Sequence, residues 1–147
     1  KNTGRDIVLW PGYCPSHVVI TAEDIERTRA EYPDAVVLTH PECSEPVKEI
    51  SDELLSTGQM LSYARQHPNG TFIIATEKGI LHTLKKQNPN STFVGVTPKA
   101  VCPNMKKISL DKIIESFEKM QYRISIPPDI SRAAKKSLER MIEVIPN

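Results

Sequence analysis

Ala35-Val36-Val37-Leu38-Thr39 runs directly into His40-Pro41-Glu42, and this junction decides the fold. The first five residues carry no charge and are rich in β-branched side chains, with no alternation of polar and apolar positions. Such a run reads as a strand buried on both faces, the signature of a parallel sheet. Working outward, similar runs recur at residues 7–9, 71–75 and 92–96, with a shorter candidate at 53–55. Amphipathic stretches lie between them. The stretch at 22–32 is announced by Thr21 with Asp24 three residues on, a variant of the capping box. Residues 58–66 and 78–87 supply two more helices, the second with Ile80, Leu81 and Leu84 on one face. Strand and helix alternate, so the fold class is α/β, and the strands between residues 35 and 96 suffice for one small four-stranded parallel sheet.

Beyond residue 102 the pattern changes. Leu110, Ile113, Ile114 and Phe117 follow helical spacing behind a Ser109 cap, and residues 122–126 read as one more strand before Pro127 and Pro128 break the chain. The last helix is expected to turn Ile130, Ala133, Ala134, Met141, Ile142 and Ile145 inward. Its charges, Arg132, Lys135, Lys136, Glu139 and Glu143, form a solvated face.

Composition narrows the function. The 147 residues are 39% hydrophobic, which suits a buried core and not a disordered chain. Nineteen basic residues against eighteen acidic ones leave a net charge of +1, with no basic tract longer than a Lys-Lys pair, so neither nucleic acid nor an anionic membrane is the expected partner. No stretch approaches the roughly eighteen apolar residues of a spanning helix, and the first residues do not resemble a signal peptide. Cys14, Cys43 and Cys102 are odd in number and far apart, a poor disulfide framework that points to a reducing, cytoplasmic location.

Ligands of open parallel sheets sit beyond the carboxyl ends of the strands, where loops meet helix N-termini. In chain order that edge receives Cys14, then His40 and Glu42, then Ser56 and Thr57, then Thr76 and Glu77, then Cys102. Cys14 and Cys102 each stand in a proline-flanked turn, Pro11-Gly12-Tyr13-Cys14-Pro15 and Val101-Cys102-Pro103, which holds the sulfur at a set position. Widely spaced thiols of this kind suit a cluster or ion assembled from several loops, and equally suit small buried residues. His40 and Glu42 place an imidazole and a carboxylate where they can bind and transfer protons, or simply close a surface loop. Ser56 and Thr57 form an N-cap or an anion site. His67, in a Pro-Asn-Gly turn, and His82, mid-helix, read as surface residues.

The strings WPGYCPSH, HPEC, LSTGQM, ATEKGI and AVCPNMK, with a terminal SLERM, resemble the quinolinate synthase family in order and spacing over the whole chain. The resemblance implies three-layer αβα units around a pseudo-threefold axis. Each unit contributes one cysteine to a 4Fe-4S cluster whose open iron acts as a Lewis acid. The reaction it implies condenses iminoaspartate with dihydroxyacetone phosphate to quinolinate, a step of NAD biosynthesis, with functional coupling to an aspartate-oxidising enzyme. By the same resemblance Cys14 and Cys102 are cluster ligands, Cys43 is not, His40 and Glu42 are catalytic and contact substrate, and Ser56 and Thr57 bind substrate. The family's usual Gly-Ser-Thr-Ser reads Leu55-Ser56-Thr57-Gly58 here. Residues 1–17 are then the end of a preceding unit, 18–102 a complete unit, and 103–147 helices and a strand packing on a neighbouring unit. The third cluster cysteine is expected upstream of Lys1, so the chain alone is expected to be inactive. The alternatives are a noncatalytic domain that has lost the cluster and a zinc-binding module using Cys14, Cys43 and Cys102.

Overall fold

The computed structural model of the chain describes Asp6, Val8 and residues 11–144. In order, the elements of the first part are α1 (Pro15–Val18), α2 (Ala22–Glu31), β1 (Val36–Thr39), α3 (Glu45–Glu49), β2 (Glu53–Leu54), α4 (Thr57–Gln66), β3 (Thr71–Ala75), α5 (Ile80–Gln87) and β4 (Thr92–Gly95). The four strands form one parallel sheet in the order β2-β1-β3-β4. The central pair is in register from Val36 opposite Phe72 to Thr39 opposite Ala75.

Strand pleating explains why the central runs carry no polar alternation. Val37, Ile73 and Ala75 face one core with Ile25 of α2 and Val47 of α3, while Leu38, Phe72 and Ile74 face another with Met60 and Ala64 of α4 and Leu84 of α5. The architecture is therefore α/β in αβα layers, and each large apolar side chain removed from water contributes about 1.5–3 kcal/mol. Thr21 caps α2 as its sequence suggests: its hydroxyl accepts from the Asp24 N–H and its own N–H donates to the Asp24 carboxylate, 3.2 and 3.3 Å. Ser56 and Gln59 form a second capping box on α4. The tight turn into β3 uses Asn69 at φ 63, and a Cβ on Gly70 would stand 2.5 Å from the Phe72 ring. The candidate strand at residues 7–9 falls largely outside the described residues, as does Ile145.

Contacts divide the chain into two compact units, Lys1–Met105 and Lys106–Asn147. The second holds α6 (Leu110–Glu118), capped by Ser109, and α7 (Pro128–Val144). Two expectations fail there. Residues 122–126 form no strand, because no described strand of this unit lies beside them to complete a ladder. Tyr122 instead adopts φ 62 and its hydroxyl donates to Glu115 at 3.0 Å. The face of α7 expected to turn inward is exposed, with Ile130 at 55%, Met141 at 54% and Ile142 at 68%. Two helices without a sheet offer too little surface to cover an amphipathic stripe.

Candidate active site

The carboxyl edge of the sheet gathers its side chains through backbone bonds. His40 continues β1 by donating its N–H to the Ala75 carbonyl, 3.1 Å, and the Cys43 N–H closes the His-Pro-Glu turn on the His40 carbonyl, 3.0 Å. Within that turn the Glu42 N–H donates to His40 Nδ1 at 3.3 Å, which makes Nδ1 an acceptor and leaves the proton of the neutral ring on Nε2. Burial lowers the His40 pKa, His17 lowers it further, and Glu42 only partly opposes them.

On the other side, Cys14 caps α1 and Pro15 opens it, so one helical turn carries His17 to the same face as Cys14. His17 is buried. Its Nε2 lies 2.9 Å from Thr76 Oγ1, its Nδ1 lies 2.9 Å from Glu42 Oε2, and its ring stacks on His40 with centroids 4.2 Å apart and planes 3° from parallel. A cleft of about 470 Å³ opens beside them, lined by Gly12, Tyr13, Cys14 and Glu42. A second, of about 320 Å³, is lined by residues that include His17, Thr57, Thr76 and Glu77. His17 thus links the two. Thr57 shares a cleft with His17 and not directly with His40 and Glu42. The Ser56 hydroxyl accepts from the Gln59 N–H, 3.4 Å, as a helix cap.

Cys102 is half-buried. Its N–H donates to Glu77 at 3.4 Å, and the same carboxylate accepts from the Gly79 N–H at 2.7 Å, tying the loop after β3 to the thiol loop. Hydrogen bonds from the Met105 N–H first, then the Ser16 hydroxyl and the Asn104 N–H, lower the thiol pKa against burial and the Glu77 charge. Ser16 lies in the turn that Cys14 caps, so the loops bearing the two thiols meet. Metal ligands bind as thiolates, and the donors around Cys102 favour that form. Cys43 does not share this setting: it is buried, its thiol donates to the Ala75 carbonyl at 3.5 Å, and burial pushes its pKa up to about 11. His67 and His82 lie on the surface.

The sequence alone singles out neither His17 nor its contact with Thr76. The usable signal is the spacing Cys14-Pro15-Ser16-His17, in which a proline-opened turn aligns positions i and i+3.

The chain matches the family model described as quinolinate synthetase A protein over residues 1–143. It belongs to the quinolinate synthase family. The quinolinate synthase of Dehalococcoides mccartyi is 44% identical over 145 residues, which are 99% of this chain and 48% of the relative. That of Methanosarcina barkeri is 39% identical over 144 residues, 98% and 47%, and that of Thermodesulfovibrio yellowstonii 41% over 141 residues, 96% and 46%. The chain spans about half the length of the curated relatives it matches. No helix among the described residues is long and apolar enough to cross a membrane.

Proposed function

We propose that this chain carries part of the active site of a quinolinate synthase, which condenses iminoaspartate with dihydroxyacetone phosphate to quinolinate, releasing phosphate and water, in NAD biosynthesis in the cytoplasm. The observation that carries this reading is the stacked pair His17 and His40 against Glu42, beside the half-buried Cys14, at the carboxyl edge of a parallel sheet. The pseudo-threefold assembly of such units is part of the same proposal. Iminoaspartate is aspartate oxidised by two electrons, so an aspartate-oxidising enzyme is the proposed functional partner.

Cys14 and Cys102 would hold a 4Fe-4S cluster, which when bound supplies a Lewis acid for substrate oxygen. Cys43, buried and protonated, is no candidate for the third thiolate, which therefore comes from outside this sequence. The remaining roles belong to the chain's own side chains. His40, neutral and with its proton on Nε2, donates to a substrate oxygen. Glu42, its side chain 56% exposed, accepts protons at Oε2, and Thr76 Oγ1, 2.9 Å from His17 Nε2, holds the His17 ring beside it. Thr57, in the first turn of α4, binds a carboxylate or phosphate through its hydroxyl and the free N–H groups of that turn. Ser56 contributes by holding the turn in place.

Steady-state kinetics of the enzyme containing this chain, prepared without oxygen and with iron content verified, tests the reading. Thr57→Ala is expected to raise KM by about tenfold and leave kcat near wild type, the mark of lost ground-state binding, whereas His40→Ala lowers kcat by about 10²-fold or more. Wild-type parameters in both variants would make these residues structural and the reading wrong.

A further inference from the structure

Glu77 is a buried carboxylate to which the proposed reaction gives no role. It is 8% exposed and stands just beyond β3, in the wall of the cleft that His17, Thr57 and Met105 also line. Its Oε2 accepts from the Gly79 N–H at 2.7 Å and its Oε1 from the Cys102 N–H at 3.4 Å, so one side chain holds two loops. Beside it the Lys78 N–H donates to the carbonyl of the fully buried Ala100 at 2.9 Å. Residues 77 and 78 thus grip the thiol loop at positions 100 and 102. Cys102 needs such a grip, because residues 96–102 form no helix or strand and the ladder that ends at Gly95 does not fix the sulfur. A carboxylate beside a thiolate is a repulsive pair, so the charge of the neighbouring sulfur does not explain an acid at this place. Acceptor count does. A carboxylate accepts through both oxygens, whereas an amide of the same shape accepts through one end and donates through the other. Two backbone donors converge on this side chain, and only the acid satisfies both.

We propose that Glu77 is the positioning residue of Cys102: it locks the thiol loop to the end of β3 and so sets where the sulfur stands beside the cleft. The inference rests on the assignment of Cys102 as a ligand of the cluster. Groups that orient a metal ligand from behind change metal affinity by about 10–100-fold when they are mutated, and Glu77 acts in this way through the backbone N–H of the ligand.

The experiment has two readouts. The first is amide hydrogen exchange of the metal-free 147-residue chain, resolved by residue. Glu77→Gln should speed exchange at Cys102 by about tenfold or more and spare Gly79, since the amide oxygen keeps the shorter bond and the amide nitrogen then faces the Cys102 N–H. Glu77→Ala should speed both. Amides of β1 and β3 should exchange as in the parent. The second readout is transfer of iron to a chelator from the enzyme containing this chain, loaded with iron and sulfide without oxygen. It should be at least about tenfold faster in Glu77→Gln than in the parent. Gly70→Ala, which crowds the Phe72 ring at the opposite end of β3, controls for general destabilisation and should match the parent in both readouts. Unchanged exchange at Cys102 in both Glu77 variants would overturn the proposal. So would faster exchange throughout β1 and β3, which would make Glu77 a general structural residue, or parental iron release in Glu77→Gln. A parent enzyme that takes up no iron would count against the cluster reading alone, and the exchange readout, which needs no metal, would still decide whether Glu77 holds the thiol loop.

Discussion

Cys43 keeps its proton because its sulfur is shut away from water and already donates to the Ala75 carbonyl, whereas the Cys102 sulfur receives hydrogen bonds that favour the thiolate. Alkylation requires the thiolate, so the raised Cys43 thiol reacts more slowly than the lowered Cys102 thiol, and burial adds its own obstruction. Iodoacetamide treatment of the metal-free chain, followed by peptide mass mapping, should therefore modify Cys102 much faster than Cys43. Equal rates would mean that the turn after β1 opens readily. The sequence separates Cys43 from Cys14 and Cys102 by the flanking prolines, and it places His40, Glu42 and Thr57 just beyond the carboxyl ends of strands because a strand end is legible from composition. It does not reveal His17. A helix of four residues is too short for a periodicity to be read, and the partner that marks this histidine, Thr76, lies 59 residues away.

Helix ends are legible for the opposite reason, since their signal is contained in three or four adjacent residues. Thr21→Ala removes the hydroxyl that satisfies the Asp24 N–H and should cost about 1 kcal/mol of stability in urea denaturation. The partner carboxylate adds a pH dependence. Burial would raise the Asp24 pKa, but Arg27 and the hydroxyl and N–H of Thr21 outweigh it and hold the carboxyl below its usual range. The stabilisation is thus present above the ordinary aspartate pKa and is lost as pH falls through the lower folded value. Asp24→Asn should flatten the dependence of stability on pH below about 4, and an unchanged acid limb would show the box to be energetically idle. Gly70→Ala is a steric test of the turn into β3. The new Cβ meets a Phe72 ring that is 1% exposed and stacked on Phe93, so the ring cannot give way, and a loss of about 1–3 kcal/mol is expected. Residues 122–126 show where local reading stops. Their composition suits a strand, but a strand exists only through its neighbours, and none is described beside them.

The two units divide the chain's stability unequally. In Lys1–Met105 the sheet is sandwiched between two apolar clusters, and Val37, Leu38 and Ile73 are fully shielded from water. In Lys106–Asn147 the apolar positions of both helices stay exposed, with Leu110 at 77%, Phe117 at 76% and Ile142 at 68%. A helix of nine or seventeen residues without a packed face is marginal in water, because nucleation is costly and tertiary packing supplies most helical stability. Native-state hydrogen exchange reads this difference residue by residue. Amides of β1 and β3 exchange only through opening of the whole sheet and, at the usual domain stability of about 5 kcal/mol or more, should be protected by more than about 10³-fold. Amides of α6 and α7 open locally and should be protected by less than about tenfold. Two protein concentrations distinguish the causes. Protection of α7 that grows with concentration would mean that a second copy covers its apolar stripe. Protection equal to that of β3 at high dilution would show that the second unit is as stable as the sheet, and that exposure of its apolar face does not govern its stability.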